Sequence, residues 1–315
     1  MPRFSSRWAG ILWVVLACLC QGCAAHQRGV ILYSPPSLLA HTTFEMRTAG
    51  FWIGRHPDPD AAVLSSEEIT RFNQKIRDEL KLTKDLSAWP SVMSGEELRV
   101  TLQKTLDGLQ ARGLRLLDGK KPSSAYWSGA RQAMNIGAIP VGIPRQYGLI
   151  VRYADQRFLP FEEGLYAQAY DEDFDELQNS ALDIGTPVVI VHRSLDGQWL
   201  WAGSSSSAGW VKAKNVAVTT EDQVKPFWST PFVIVTVPKG DIYLNRAMTE
   251  FAGSLQMGAR LPLMRFDGDY AEITVPRRQS DGSAALVPGF IAAADIHEGY
   301  LPYTPRQILL QAFKM

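Results

Sequence analysis

Gly185-Thr-Pro-Val-Val-Ile-Val191, Asp196-Gly197-Gln-Trp199-Leu200, Gly209-Trp210-Val211 and Asn215-Val216 follow one another within a few dozen residues. The same order returns downstream as Gly258-Ala-Arg-Leu-Pro-Leu263, Asp267-Gly268-Asp-Tyr270-Ala271, Gly289-Phe290-Ile291 and Asp295-Ile296. Each copy reads as strand, Asp-Gly turn, strand opened by an aromatic, loop, Gly-aromatic-aliphatic strand and a last aliphatic residue. Such an internal repeat marks two copies of one structural unit. Asp-Gly favours a two-residue type I′ hairpin turn, which needs positive φ at both central positions. A glycine before the aromatic allows close backbone approach in a small closed sheet. The copies differ in the step from Gly197 to Gly209 against the longer step from Gly268 to Gly289. The expectation is therefore two tandem five-stranded barrels, at 147–220 and 226–300, with the excess of the second copy in a loop over 276–284.

Upstream the texture is helical. Ser65-x-x-Glu68 is a capping-box pattern, followed by Ile69, Phe72, Ile76 and Leu80 at helical spacing. Ser94-x-x-Glu97 opens a second helix with Leu98, Leu102, Leu106 and Leu109 on one face and Gly113 as its stop. A third spans 125–134. Residues 24–140 form a small helical domain in this reading, so the fold class is α+β and multidomain. Pro57 and Pro59 make Arg55-His56-Pro57-Asp58 a rigid loop.

Residues 1–23 have the layout of an export leader, with Arg3 and Arg7 before the apolar run Trp8–Cys20. The end, Leu19-Cys20-Gln21-Gly22-Cys23, resembles a lipobox with Cys23 as the lipidated residue. Val15-Leu16-Ala17-Cys18 is an alternative box, and ordinary cleavage or an uncleaved anchor stays open. Lipidation at Cys23 implies a periplasmic protein held on a membrane of the bacterial envelope. Lys plus Arg equals Asp plus Glu, 32 each, which argues against nucleic acid as a partner. All three cysteines, Cys18, Cys20 and Cys23, lie in this leader, so thiolate zinc sites and disulfide frameworks are excluded from the remainder. No Gly-x-Ser-x-Gly elbow, phosphate loop or His-Glu-x-x-His helix occurs, and no cofactor or metal is called for.

The Gly-Thr-Pro-Val, Asp-Gly-x-Trp and Gly-Trp-Val signature resembles bacterial SH3-like domains. Thr48-Ala-Gly-Phe-Trp-Ile-Gly-Arg-His-Pro-Asp-Pro-Asp60 resembles the N-terminal stabilising domain of a subgroup of NlpC-type cell-wall peptidases. Asp173-Phe174-Asp175-x-Leu177-Gln178 and Leu255-Gln256-Met257-Gly258-x-Arg260-Leu261-Pro262-Leu263 fit the same group, so the resemblance covers residues 40–315. It implies export, a helical stabilising domain, two SH3-like barrels and then a papain-like module. That module cuts peptidoglycan stem peptides after γ-D-glutamate. The family's nucleophile is a cysteine in an Asp-Cys-Ser-Gly type motif, which this sequence lacks.

Thr304 as N-cap and Pro305 at the first helical position open a last helix with Ile308, Leu309, Ala312 and Phe313 on one face. By resemblance, 301–315 is the cut-off first helix of the catalytic module. The expected function is the targeting and substrate-positioning portion of such an endopeptidase, inactive as this chain. The alternatives are a stand-alone peptidoglycan-binding module, or a scaffold whose separate catalytic polypeptide docks on Ile308, Leu309 and Phe313.

Trp199, Trp201, Ser205 and Trp210 are the candidates for a stem-peptide groove. Against this, aromatics of small barrels usually pack the core, the expectation for Trp199 and Trp210, with Trp201 on the face of Trp199. The acidic run Asp171–Glu176 reads as a solvated face rather than a calcium site, and His41 and His192 stand alone.

Overall fold

The computed structural model describes residues 39–229 and 231–315; the leader with Cys23 lies outside them. The chain divides into Met1–Met46 and Arg47–Met315. In the described part of the first, the Thr42 hydroxyl donates to the Leu39 carbonyl at 2.6 Å.

The second unit is a mixed α+β fold most of whose helices precede two seven-stranded antiparallel sheets. Its first helices are α1 (Ala49–Ile53) and α2 (Ser66–Asp78). At the start of α2 the capping box closes in both directions: Ser65 Oγ accepts from Glu68 N at 3.2 Å, and Glu68 Oε2 from Ser65 N at 2.8 Å. Among the described residues the apolar face expected of α2 is covered only in part, with Ile69 and Ile76 half-buried, Phe72 57% exposed and no residue fully buried. Caps satisfy helix ends locally, so they form a helix without selecting a partner for its face.

Strand β1 (Val92–Ser94) leads into α3 (Gly95–Ala111), which buries Leu98, Leu102, Leu106 and Leu109 as its leucine spacing predicts. It ends beside Gly113, whose φ of 68° is the left-handed value a helix stop needs. Helix α4 (Ser124–Ala133) follows, and β2 (Gly142–Pro144) returns to pair with β1.

The first sheet holds β3 (Gln146–Ile150), β4 (Ala154–Arg157), β5 (Gln178–Leu182), β6 (Pro187–Arg193), β7 (Trp199–Gly203), β8 (Ala208–Lys212) and β9 (Val216–Thr219). A short α5 (Glu221–Val224) leads to the second sheet. That sheet holds β10 (Phe232–Val235), β11 (Lys239–Tyr243), β12 (Phe251–Gln256), β13 (Arg260–Asp267), β14 (Tyr270–Arg278), β15 (Ala284–Ala292) and β16 (Ile296–Glu298). The spatial orders are β5-β4-β8-β7-β6-β3-β9 and β12-β11-β15-β14-β13-β10-β16, the same path traced twice. The repeat is thus architectural, with seven strands per copy rather than five. The additional hairpins, β4–β5 and β11–β12, precede the repeated motif in each copy.

The Asp-Gly steps differ from the expected type I′ turns. In the first copy Gly197 N donates to Ser194 O at 2.9 Å, and only Gly197 has positive φ. The Asp196 carboxylate accepts from Ser194 Oγ and Gln198 N, which stabilises a longer loop through its side chain. In the second copy Asp267 pairs with Tyr270, so Gly268 and Asp269 are the turn residues. Only Gly268 has positive φ there.

The excess of the second copy is no loose excursion. Pro276, Arg277 and Arg278 pair with Leu286, Ala285 and Ala284, lengthening the β14–β15 hairpin. Its tip reaches the first barrel: Val218 N donates to Gly282 O at 2.9 Å, and Arg278 Nε to Val216 O at 3.0 Å. Ala284 packs with Val151 and Ala217 beside these bonds. A second link joins Gln256 N to the Asp183 carboxylate at 3.0 Å.

Helix α6 (Pro305–Ala312) starts at its Thr304 cap and returns to the beginning of the unit. Arg306 donates to both oxygens of Asp60, at 2.6 and 2.8 Å, and its amide donates to Pro59 O. The proline-rich loop after α1 therefore seats the last helix.

Gly209 tests the closeness of the barrel backbone, since a Cβ there would stand 2.6 Å from the Arg157 carbonyl oxygen. Gly209→Ala should cost about 1–3 kcal/mol, read as a lower urea midpoint with an unchanged denaturant slope.

Candidate ligand-binding surfaces of the first barrel

Side chains alternate along β7, so Leu200 and Ala202 enter the barrel with Val188, Ile190 and Val211. Trp199 and Trp201 point the other way, and Trp210 faces Trp201 across the β7–β8 ladder. The helical layer covers this outer face. A Cβ on Gly203 would lie 2.4 Å from the Trp89 ring, which shows how closely the layers approach.

Trp210 is 0% exposed and Trp199 6%, in one cluster with Leu98, Leu102, Leu106 and Met134 of the helical layer. Both tryptophans are core residues, but of the layer between barrel and helices rather than of the barrel interior. Neither is placed to touch a ligand. His192, paired with Trp201 across the β6–β7 ladder, approaches the Met134 carbonyl through Nε2 at 3.0 Å. Its ring meets Trp210 edge-on, with centroids 5.9 Å apart. Burial lowers its pKa, opposed by hydrogen bonds to the backbone of Met134 and Asn135.

Trp201 shares the face of Trp199 and remains half-buried, lining a cavity of about 860 Å³ with Trp89, Met93, Val191 and Lys84. Ser205 is exposed and belongs to another cavity, of about 560 Å³, with Trp228, Arg260 and Tyr300. Lys84 and Asp85 border both, and Lys84 N donates to Ser205 O at 2.7 Å. The four residues singled out in the sequence thus form no single groove. Two are buried and the other two lie on either side of one strap. Trp89 and Lys84 were not legible as site residues, because they sit in a loop of the helical segment with no motif around them.

The connection from β4 to β5 is tied down by charge. Arg157 pairs with Asp175 at 2.7 Å, with little of either side chain exposed. Asp175 also accepts from Leu165 N and Leu177 N. Glu176 pairs with Arg112 next to the end of α3. Two of the five acids of the run, Asp175 and Glu176, are therefore structural rather than solvated, while Glu172 and Asp173 stay exposed. No group of three His, Cys, Asp or Glu among the described residues is arranged to hold a metal.

Residues 165–212 match the family model of an SH3 domain of the SH3b1 type. The match runs from the tied connection to the end of β8, and so includes the β7–β8 ladder with its Trp201–Trp210 pair. The fold as a whole is similar to an NlpC/P60 endopeptidase from Photobacterium damselae subsp. piscicida. That structure is 19% identical with a TM-score of 0.66, over 89% of this chain and 63% of the other. At that identity the likeness is one of fold, and this chain spans less than two thirds of that protein's length. An NlpC/P60 family protein from Bacillus cereus ATCC 10987 also aligns, at 14% identity and a TM-score of 0.37, over 49% of this chain and 56% of that one. No curated protein sequence matches the chain.

Trp210→Ala should cost about 3–5 kcal/mol, whereas half-buried Trp201→Ala should cost clearly less; chemical denaturation separates the two. The lowered pKa of His192 means that the unfolded chain binds a proton the folded chain refuses. Its contribution is present above the unfolded value of about 6.5 and is lost as pH falls toward the folded value. His192→Gln should flatten the fall in melting temperature over that interval; an unchanged slope would count against the assignment.

Proposed function

We propose that this chain is the cell-wall targeting and substrate-positioning portion of an NlpC-type γ-D-glutamyl–diamino acid endopeptidase, without peptidase activity of its own. The similarity of fold to an NlpC/P60 endopeptidase over 89% of the chain carries this reading. The SH3b1 match adds a domain type that suits a cell-wall role. Every cysteine falls at positions 18, 20 and 23, so the described residues hold no thiol that could serve as nucleophile. In this reading Cys23 carries a lipid that holds the protein at a membrane in the periplasm, and stem peptides of peptidoglycan are the ligand.

Helix α6 supports a variant in which a catalytic polypeptide docks on Ile308, Leu309 and Phe313. Ile308 and Phe313 are 42% and 41% exposed, while Leu309 is half-buried. The Arg306–Asp60 pair holds that face in place. If no catalytic polypeptide is involved, the protein is a peptidoglycan-binding module in its own right.

Purified protein should sediment with peptidoglycan sacculi and release no stem-peptide fragments from them by mass spectrometry. Fragment release by the chain alone would refute the assigned lack of activity, and recovery no greater than that of a neutral control protein would refute the targeting role.

A further inference from the structure

Between the two barrels runs a groove of about 970 Å³, apart from every residue considered so far as a ligand site. Its walls carry Arg152 after β3, Lys214 before β9, Lys239 on β11, and Arg277 and Arg278 on the lengthened β14–β15 hairpin. Among the described residues no carboxylate lines it, although the chain as a whole carries no net charge. Five cations from four separate stretches therefore converge where neutrality over the sequence gives no hint of them.

The local acids offset this charge only in part: Glu162 interacts with Lys214 and Asp281 with Arg278 through space, neither as an ion pair. Asp183 is occupied with Gln256 N and Asp241 with Ser254 Oγ, both at the base of β12 rather than with a groove cation. Arg278 spends Nε on the Val216 carbonyl, a neutral acceptor, so its charge remains. Arg152, Lys239 and Arg277 have no ion-pair partner among the described residues. Like charges held together without partners oppose folding, and a bound anion removes that repulsion.

Two further features select the shape of the anion. Tyr153 and Phe251 stand exposed in the walls, offering apolar faces beside the cations. Strand β12, which lines the groove along its whole length, is the edge of its sheet. An edge strand presents main-chain groups that pair with an extended peptide. A lone phosphate would use the cations but neither of these.

We propose that the inter-barrel groove binds an extended peptide bearing several carboxylates, namely an anionic stem peptide of the cell wall. The choice of stem peptide rests on the function proposed above; the anionic, extended character rests on the groove itself. Arg152, Lys239 and Arg277 supply charge to the carboxylates, and the β12 edge supplies main-chain hydrogen bonds.

The test uses the purified full chain and a fluorescein-labelled stem tetrapeptide with free carboxylates, read by fluorescence anisotropy. Binding should weaken with added salt, because exposed charge pairs are screened within about 10 Å at 0.1 M. The double reversal Lys239→Glu/Arg277→Glu should weaken it at least about tenfold, equivalent to about 1.4 kcal/mol. Arg152→Glu, on the opposite barrel, should act in the same direction, and unchanged melting temperatures establish that the variants fold. The same peptide with amidated carboxylates should bind at least about tenfold less well.

No binding to the wild-type chain, equal binding by the variants, or equal binding of the amidated peptide would each overturn the proposal. So would capture of anionic phosphatidylglycerol vesicles in place of the peptide. Sacculus sedimentation of the same preparations separates the two claims. Retention on sacculi with no peptide binding leaves the targeting role standing and removes the groove. Peptide binding without retention does the reverse.

Discussion

Burial of one outer barrel face beneath the helical layer is the constraint on which the rest of the arrangement depends. A small sheet has an interior too narrow for three tryptophans, and here Val188, Ile190, Leu200 and Val211 fill it. Trp199 and Trp210 are driven outward by strand parity, and α3 and α4 supply the leucines and Met134 that cover them. An aromatic of this size buries about 150–250 Å², worth several kcal/mol at about 25 cal/mol per Å². The Trp210 indole N–H finds no acceptor among the described residues, which offsets some of that gain. The helical layer is thus no separate appendage: it shares a core with the barrel it covers.

The two barrels follow one strand path but use their departures from it differently. In the first, the long β4–β5 connection is fastened by Arg157–Asp175 and Glu176–Arg112 toward the helices. In the second, the longer β14–β15 hairpin reaches back to Val216 and Val218 of the first barrel. Each insertion therefore joins its barrel to the element preceding it in the chain. The same hairpin brings Arg277 and Arg278 to the groove wall, so the device that joins the barrels also charges the space between them. At the other end, Arg306 on Asp60 returns the last helix to the first. Residues that are distant in sequence thereby build one support around the barrels.

What could be read beforehand shares a physical character. Ser65 with Glu68, the α3 leucine stripe, the Thr304-Pro305 helix start and the repeated Gly-aromatic strands all act over a few residues or a fixed period. Local hydrogen bonds and periodicity are written into the order of residues. The failures share a character too. Gly197 and Gly268 are glycines of real turns, yet the turn type depended on side-chain bonds from Asp196 and on the pairing of Asp267 with Tyr270. Phe72 lies exposed on a well-capped helix none of whose residues is fully buried among the described residues.

The sequence by itself determined the helices, the doubling of the barrel and the parity that sets Trp201 on the face of Trp199, because these follow from backbone sterics and side-chain alternation. Only the tertiary structure decided that this face is the covered one, and that Trp201 and Ser205 lie on opposite sides of the Lys84–Asp85 strap. It alone gathered Arg152, Lys214, Lys239, Arg277 and Arg278 into one groove. The reason is that burial and electrostatic focusing depend on distances between elements, and no short-range pattern in the chain encodes those.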